Sequence, residues 1–467
     1  MFRFGTDGYR AIISDGFDFE TVGKISLALA NYLKSKKAQP HVLVGYDTRF
    51  LSDKFASCAA GVCAKAGLRV EITDSFVPTP ILSHSVVDKK ADAGIMITAS
   101  HNPYYYNGFK IKNAQGGSAS PAQIAELSPF LDKINQTPKY TFHNNQTKTY
   151  NPKKNYFLHV ESIVDKKLFS TPGIKIIADP MYGAGRGFFK ELLQSYNLDT
   201  TEIHGQENPN FGGLQPEPIG PSMDDLKKAV LDKSADLGLA LDGDADRSGA
   251  IDEKGNFISS HQIFALLLHH LVENKKQKGL VVKTFSTTSL VDIMAEYYGL
   301  EVVQTPIGFK HISDLMLSKD VLIGGEESGG IGIKGHIPER DGLLIGLMLT
   351  ELMLTSEKTI SELMDTLNKK FGCFSYDRLD LVAPNSNGQN FYQKLVNSNV
   401  AEAVSKKLKA TLNEDGYKFE FEDRSWLMFR LSGTESVIRI YAEAADETEV
   451  KKLLDCGQAL VTSLTNP

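Results

Sequence analysis

One pattern occurs three times along this chain: an apolar strand-like run, a polar turn, a segment of helical period, then Gly-Leu or Asn-Leu opening a second strand-like run. The first copy is His41-Val-Leu-Val-Gly-Tyr, a helix near Phe55 to Ala66, and Gly67-Leu-Arg-Val-Glu-Ile. The second is Ile174-Lys-Ile-Ile-Ala-Asp, a helix after Gly187, and Asn197-Leu-Asp-Thr-Thr-Glu-Ile. The third is Leu280-Val-Val-Lys-Thr, a helix from Ser289 to Tyr298, and Gly299-Leu-Glu-Val-Val-Gln-Thr. Strand, crossover helix and strand in that order imply related α/β units. At about 150 residues per domain, length alone allows roughly three domains, with two or four equally admissible. Polar, Asn-rich sequence from Asn135 to Lys154 marks a connection, with a boundary near residue 150. From about Phe371 the character changes. Asn385 to Asn390 is rich in Asn and Gly, and Trp426-Leu-Met-Phe-Arg and Val437-Ile-Arg-Ile-Tyr read as two strands flanking a polar turn, the mark of a separate fourth domain.

Composition removes several function classes. A formal net charge of -6 with no basic block argues against a nucleic-acid partner, so any anionic ligand must meet local basic groups. Hydrophobic residues at 42% and charged residues at 23% are ordinary for a globular chain. Cys58, Cys63, Cys373 and Cys456 form neither CxxC pairs nor a dense framework and read as reduced thiols, not as disulfides or zinc ligands. The first ten residues contain no apolar signal region, and the longest apolar run, Leu343 to Leu354, is broken by Glu351. A cytoplasmic protein with no membrane partner is expected.

The strongest local signal is Asp242-Gly-Asp-Ala-Asp-Arg-Ser-Gly, preceded by the strand-like Leu237-Gly-Leu-Ala-Leu and followed by the turn Asp252-Glu-Lys-Gly. In an extended strand Asp242, Asp244 and Asp246 share one face, and their repulsion requires a cation among them. A hard divalent ion such as Mg2+ suits three carboxylates. An EF-hand needs Gly where Arg247 stands, and Arg247 suits a phosphate bridging metal and guanidinium. The competing reading is a solvated acidic turn.

Gly94-Ile-Met-Ile-Thr-Ala-Ser-His-Asn-Pro reads as a buried strand delivering Ser100 and His101 into a loop. Ser100 is a candidate nucleophile, but the segment is no GxSxG elbow, and a loop serine is more often a turn former. Gly324-Gly-Glu-Glu-Ser-Gly-Gly sets two carboxylates and a hydroxyl in a stretch too glycine-rich for a helix or a packed strand, suited to polyol hydroxyls or to a surface turn. Arg430-Leu-Ser-Gly-Thr-Glu-Ser-Val-Ile-Arg places two arginines around Ser-Gly-Thr, a composition suited to a phosphate, with a plain hairpin turn as the alternative. Gly330-Ile-Gly-Ile-Lys-Gly formally matches GxGxxG but opens no helix in a βαβ unit, which removes a dinucleotide site, and the absence of GxxxxGK[ST] removes a P-loop.

In order along the chain, Phe4-Gly-Thr-Asp-Gly-Tyr-Arg10, Thr98-Ala-Ser-His-Asn-Pro103, Asp242-Gly-Asp-Ala-Asp-Arg247, Gly325-Glu-Glu-Ser-Gly-Gly330 and Arg430-Leu-Ser-Gly-Thr434 resemble the motifs of the α-D-phosphohexomutase family. The resemblance implies four α/β domains, at 1–150, 151–256, 257–370 and 371–467, three alike and the last a TATA-binding-protein-like α+β domain. It implies Ser100 as phosphorylated serine, with its phosphate and Asp242, Asp244 and Asp246 as Mg2+ ligands. It further implies Lys110 as general base or electrostatic aid, and Arg10, His101 and Arg247 as phosphate or catalytic contacts. Glu326 and Ser328 match residues that grip sugar hydroxyls, Gly308 and Lys310 stand in the adjacent substrate loop, and Arg430, Ser432, Gly433, Thr434 and Arg439 match the site for the non-reacting phosphate.

A phosphoserine carries about -1.5 to -2 charges at pH 7, so passing its phosphoryl group to an anionic sugar phosphate needs cations on both partners. The bisphosphate so formed must turn around and return its other phosphate to Ser100, with the fourth domain expected to close as a lid. The Glu-Glu-Ser loop and Thr305-Pro-Ile-Gly-Phe-Lys resemble those of phosphoglucomutases, whereas Ser432-Gly-Thr-Glu resembles the phosphate loop of glucosamine mutases. The expectation is interconversion of glucose 1-phosphate and glucose 6-phosphate through glucose 1,6-bisphosphate, by a monomer or weak homodimer. The alternatives are a phosphomannomutase or dual enzyme, a phosphoglucosamine mutase, a phosphatase, and a non-catalytic sugar-phosphate binder.

Overall fold

A computed structural model describes residues 4–5, 7–136, 138, 147–170, 173–382, 388–431 and 437–465. The chain forms two compact units, Met1–Leu280 with Gly308–Leu363, and Val281–Ile307 with Met364–Pro467. All three repeats form as parallel strand, helix, parallel strand: His41–Tyr46 with Arg69–Thr73, Lys175–Asp179 with Asp199–Glu202, and Leu280–Thr284 with Val302–Thr305. Their crossover helices are Ser52–Lys65, Phe188–Gln194 and Leu290–Tyr298. The first helix begins three residues before its expected start, and the others fall where helical periodicity places them.

In the first unit, a seven-stranded sheet runs in the order Gly16–Phe17, Tyr9–Ile13, Tyr106–Lys112, Ala93–Ile97, His41–Tyr46, Arg69–Thr73, Lys148–Tyr150. Its central strands are continuous apolar runs because helices cover both faces. The helix Phe19–Lys36, started by Asp18 accepting from the Thr21 amide, buries Val22, Ile25, Leu29 and Leu33 at helical spacing. A five-stranded sheet follows in the order Phe257–Ile258, Ser248–Asp252, Leu237–Leu241, Lys175–Asp179, Asp199–Glu202.

Three antiparallel hairpins share one design: Ala93–Ile97 with Tyr106–Lys112, Leu237–Leu241 with Ser248–Asp252, and Val321–Gly325 with Ile331–Ile333. Their loops carry Ser100, the three aspartates and Glu326 with Ser328. Gly324 and Gly325, expected in a loop, instead end the buried strand Val321–Gly325, where a Cβ on Gly325 would lie 2.9 Å from the Phe264 ring. The missing side chain of Gly325 allows the Phe264 ring to pack on the strand.

The apolar run at 343–354 is the interior of the helix Gly342–Ser356, buried from Gly342 to Met353. A helix apolar all round belongs inside a core. Glu351 is tolerated there because it accepts from the Asp165 amide at 2.7 Å and Lys275 at 2.8 Å and meets His270 at 2.9 Å. No described helix is long and apolar enough to cross a membrane, and the four cysteines are free thiols.

The second unit holds the third repeat and a five-stranded antiparallel sheet in the order Ser375–Val382, Val437–Ala444, Trp426–Leu431, Tyr417–Phe421, Leu408–Leu412. The helix Glu447–Thr465 packs Val450, Leu453 and Leu454 into the core of this sheet. Trp426 is fully buried and donates its indole N–H to Glu443 at 2.8 Å. The third repeat from Val281 onward is counted with this compact unit. The fold class is α/β with a C-terminal antiparallel α+β domain.

Asp341 caps the start of the helix Gly342–Ser356. Its Oδ1 accepts from the amides of Leu343 and Leu344, and its Oδ2 accepts from Tyr156 at 2.7 Å and lies 3.0 Å from His336. Asp341→Ala leaves those buried donors unpaired and is expected to cost about 3–5 kcal/mol, read as a lowered midpoint in urea denaturation.

Candidate active site

The serine hairpin ends its first strand at Ile97, and Thr98 then accepts the Ser100 amide on its hydroxyl at 2.9 Å. Ser100 adopts φ 52°, the left-handed region that a serine enters at a cost of roughly 1–2 kcal/mol. In that conformation its Oγ donates to Asp242 Oδ2 at 2.7 Å, and the residue is 1% exposed.

The aspartates do not share one face of an extended strand, as simple alternation implies. The strand Leu237–Leu241 stops before them, and residues 242–247 form a tight loop closed by the Asp242 amide on the Arg247 carbonyl, with Ala245 at φ 62°. Asp242 Oδ1 accepts the amides of Asp246 and Arg247 at 3.0 and 3.1 Å, pinning the loop from inside. Gly243 is obligatory here, since a Cβ would lie 2.3 Å from the Ser100 carbonyl oxygen.

The three carboxylates are fully buried, and one oxygen of each lies within 4.8 Å of the others. Asp244 Oδ1 and Asp246 Oδ1 have no hydrogen-bond partner. Burial first, and then the neighbouring Asp246 and Asp244, push the Asp242 carboxyl well above the usual range. Burial opposes Asp244 as well, but Lys110 and the Thr79 hydroxyl hold it below its ordinary value. Orphaned oxygens converging in a dry pocket, with Ser100 beside them, fit a hard divalent cation.

Cations surround this acidic pocket. Lys110, on the strand Tyr106–Lys112, lies 2.7 Å from Asp244, 3.0 Å from Asp246 and 2.7 Å from Asp7. Although burial works against its charge, those carboxylates raise the ammonium above its usual range. Arg340 reaches Asp7 and Asp246 at 2.7 Å each and Glu326 at 3.5 Å. Arg247 donates to Glu217 at 3.0 Å, and Arg10 to the Asn102 side chain at 2.8 Å. His101 Nδ1 has no partner, and burial followed by repulsion from Arg247, Arg10 and Lys110 holds the ring well below its usual value and therefore neutral.

Glu326 follows its hairpin strand and accepts the Gly308 amide at 3.1 Å. Gly308 takes φ 128°, which favours glycine, at the start of the helix Phe309–Ser318. Lys310, on the first turn of that helix, lines a cavity of about 270 Å³ with Asp7 and Ser118. Ser328 is partly exposed on the same loop as Glu326. In the second unit, Arg430 and Arg439 stand directly opposite in the sheet, each with an acidic neighbour, Asp415 at 2.9 Å and Asp380 at 3.5 Å. Ser432, Gly433 and Thr434 lie outside the described residues.

Sequence reading passes over Arg340, Thr79 and Glu217 and gives Asp7 no role of its own. Asp7 is inside a recognised motif, which was its available signal. Arg340 has none, since its importance arises from ion pairs 333 and 94 residues away.

Two outcomes follow from this geometry. Protein stripped of divalent ions is expected to melt higher when Mg2+ is restored, by the equivalent of about 2.7 kcal/mol at a hundredfold excess over Kd. Asp246→Ala is expected to abolish that shift in a thermal melt. Burial raises Glu326 from 4.5 to about 7, with Arg340 and Arg247 pulling it back. The folded state therefore binds its proton more tightly than the unfolded chain, so this group's contribution is complete below pH 4.5 and lost as pH rises through 7. Glu326→Gln is expected to flatten a slope amounting to roughly 3 kcal/mol, at about 1.4 kcal/mol per pH unit, in melts from pH 4.5 to 7.5.

Comparison with known proteins agrees with this arrangement. Residues 1–138, 154–255 and 259–371 match phosphoglucomutase/phosphomannomutase alpha/beta/alpha domains I, II and III, and residues 395–455 match the C-terminal domain. The chain is 30% identical over 461 residues to a phosphoglucomutase/phosphomannomutase of Thermococcus kodakarensis, covering 98% of both chains. It is 30% identical over 456 residues to a phosphoglucosamine mutase of Acetivibrio thermocellus, covering 96% of both. The crystal structure of a putative phosphomannomutase from Thermus thermophilus superposes with a TM-score of 0.87 at 33% identity, covering 99% of both chains. With all four family segments in order and relatives matched end to end, the chain belongs to the phosphoglucomutase/phosphomannomutase family of phosphohexomutases, isomerases that move a phosphoryl group on hexose phosphates.

Proposed function

We propose that this protein interconverts glucose 1-phosphate and glucose 6-phosphate through a phosphoserine at Ser100 and a glucose 1,6-bisphosphate intermediate. The observation that carries the mechanism is the Ser100 Oγ held 2.7 Å from Asp242, in a pocket whose two orphaned carboxylate oxygens call for a cation. Asp242, Asp244 and Asp246, with the Ser100 phosphate, are the residues that would hold Mg2+. When bound, the ion supplies charge neutralisation for the transferring phosphoryl group.

In the forward step the bond from phosphorus to the Ser100 oxygen breaks and a bond to the free sugar hydroxyl oxygen forms; the proton that hydroxyl loses is balanced by one gained at Ser100 Oγ, which is released as a hydroxyl. Lys110, already ringed by carboxylates, acts as a fixed cation next to the reacting oxygens, an electrostatic aid in preference to a base. Arg10 and Arg247, with the neutral ring of His101, contact the phosphoryl oxygens. Glu326 and Ser328 grip the sugar hydroxyls, with Gly308 and Lys310 beside them. The far phosphate is assigned to Arg430, Ser432, Gly433, Thr434 and Arg439. Two guanidinium groups directly opposite in a sheet concentrate positive charge on one face, beyond what Asp415 and Asp380 each offset, and such a pair suits a phosphate. Domain boundaries near residues 150, 256 and 370 accompany this reading.

The Glu-Glu-Ser sugar loop favours glucose, with mannose phosphate the alternative. A second reading, phosphoglucosamine interconversion, is favoured by relatives of that name at the same 30% identity over nearly the whole chain. Coupled assays with glucose, mannose and glucosamine 1-phosphates, each primed with trace bisphosphate, rank the three. Glucose 1-phosphate is expected to give the highest kcat/KM, and a tenfold preference for glucosamine 1-phosphate would establish the second reading instead. Intact mass and peptide mapping should find one phosphoryl group on Ser100. Ser100→Ala is expected to lose at least about a thousandfold in kcat, by analogy with removal of other covalent nucleophiles.

A further inference from the structure

A buried arginine outside the site described so far faces the loop that carries Ser100. Arg49 follows the strand His41–Tyr46, and its side chain is 0% exposed. One terminal nitrogen donates to the carbonyls of Pro103 at 2.8 Å and Tyr106 at 3.2 Å. The other donates to the carbonyls of Ser100 at 2.5 Å and Asn102 at 2.6 Å. Nε lies 3.1 Å from Asp47 Oδ2, while Asp47 Oδ1 accepts from the Arg49 amide and from Ser52 Oγ. The Asp47 amide donates to the Ile97 carbonyl at the end of the serine strand, and the Phe211 ring lies 4.8 Å from the guanidinium carbon.

Four carbonyls of one loop thus converge on a single planar cation. A guanidinium offers five N–H groups in a fixed fork, whereas an ammonium offers three and cannot span the same acceptors. Every edge of Arg49 faces protein, so nothing remains for substrate. The Ser100 carbonyl it holds is also the one that Gly243 approaches so closely that a Cβ would sit 2.3 Å away. Ser100 sits in the left-handed region, a strain that persists only where surrounding contacts over-determine the backbone, and the hydrogen bond from Arg49 to its carbonyl is such a contact.

We propose that Arg49 is a positioning residue for the phosphoryl carrier, locking the carbonyls of residues 100–106 so that Ser100 Oγ is presented to the aspartate loop. The proposal rests on the reading of Ser100 as carrier, but its geometric half stands without it. Arg49→Lys keeps the charge and loses the fork. Its kcat is expected to fall about a hundredfold, the scale on which an ångström of misplacement tells, with KM for the hexose 1-phosphate within about threefold, since other residues grip the sugar. Amide hydrogen exchange followed by mass spectrometry is expected to quicken at least tenfold in peptides covering residues 100–107 and to stay unchanged in Leu237–Leu241.

Should Arg49→Lys fail to fold, Asp47→Asn, which frees Nε while preserving shape, carries the same two readouts in the same direction. Wild-type exchange in 100–107 together with a kcat within threefold overturns the proposal. So does a parallel loss of kcat and of folded protein with KM rising in step, which marks a merely structural arginine. If the wild type turns over none of the three sugars, the functional reading fails, and the exchange experiment alone decides whether Arg49 clamps the loop.

Discussion

Asp246 Oδ2 accepts two cations at once, Lys110 at 3.0 Å and Arg340 at 2.7 Å, and the site depends on this shared oxygen. Lys110 comes from the first sheet, Asp246 from the loop after the second hairpin's first strand, and Arg340 from the approach to the buried helix Gly342–Ser356. Asp7 closes the circuit by meeting the same two cations at 2.7 Å each. Burying such charges is expensive, and removing one partner of a buried pair typically costs about 3–5 kcal/mol because the other is stranded. The network therefore fixes three separate segments relative to one another more firmly than apolar packing alone, which tolerates sliding.

The motifs share a topological address. In three places a strand turns back as an antiparallel hairpin, and the candidate site residues sit in that turn: serine, aspartates, then the Glu-Glu-Ser loop. A hairpin turn is held at both ends by a sheet yet leaves its side chains free to vary, so one scaffold serves three different tasks. Glycine permits the closeness that results. Gly243 lets the aspartate loop touch the serine loop, and Gly330 lets Arg340 pass, since a Cβ there would lie 2.2 Å from the arginine Cδ.

The strands and crossover helices were legible in the sequence because continuous apolar runs and helical periodicity are local properties, and all three repeats paired as those runs imply. The aspartates were legible as a cation site by composition but not by geometry. Alternation along a strand places them on one face, whereas a loop stapled by Asp242 Oδ1 gathers them instead. Arg340, Asp7 and Arg49 were poorly legible because each acts through partners distant in the chain or through backbone carbonyls, which carry no residue-specific signal. Gly324 and Gly325 misled in the opposite direction. Glycine usually signals a turn, and here it records a ring packed on a strand.

On the proposed reading the charges around Ser100 act on a phosphoryl group, which is the same in every hexose phosphate, so they cannot distinguish sugars. Discrimination on the proposed reading falls to the short loop from Glu326 to Gly330 and to the Gly308 turn that it contacts. A pocket that only measures shape gains about 1–3 kcal/mol per missing group, whereas one that pairs a buried polar atom with a hydroxyl rejects an analogue lacking it far more strongly. Glu326 is such an atom. Burial raises its carboxyl to about 7 against the pull of Arg340 and Arg247, so on the proposed reading both its donating and its accepting form are within reach of a sugar. An equatorial hydroxyl can satisfy either form, but an amino group that arrives as an ammonium requires the ionised one.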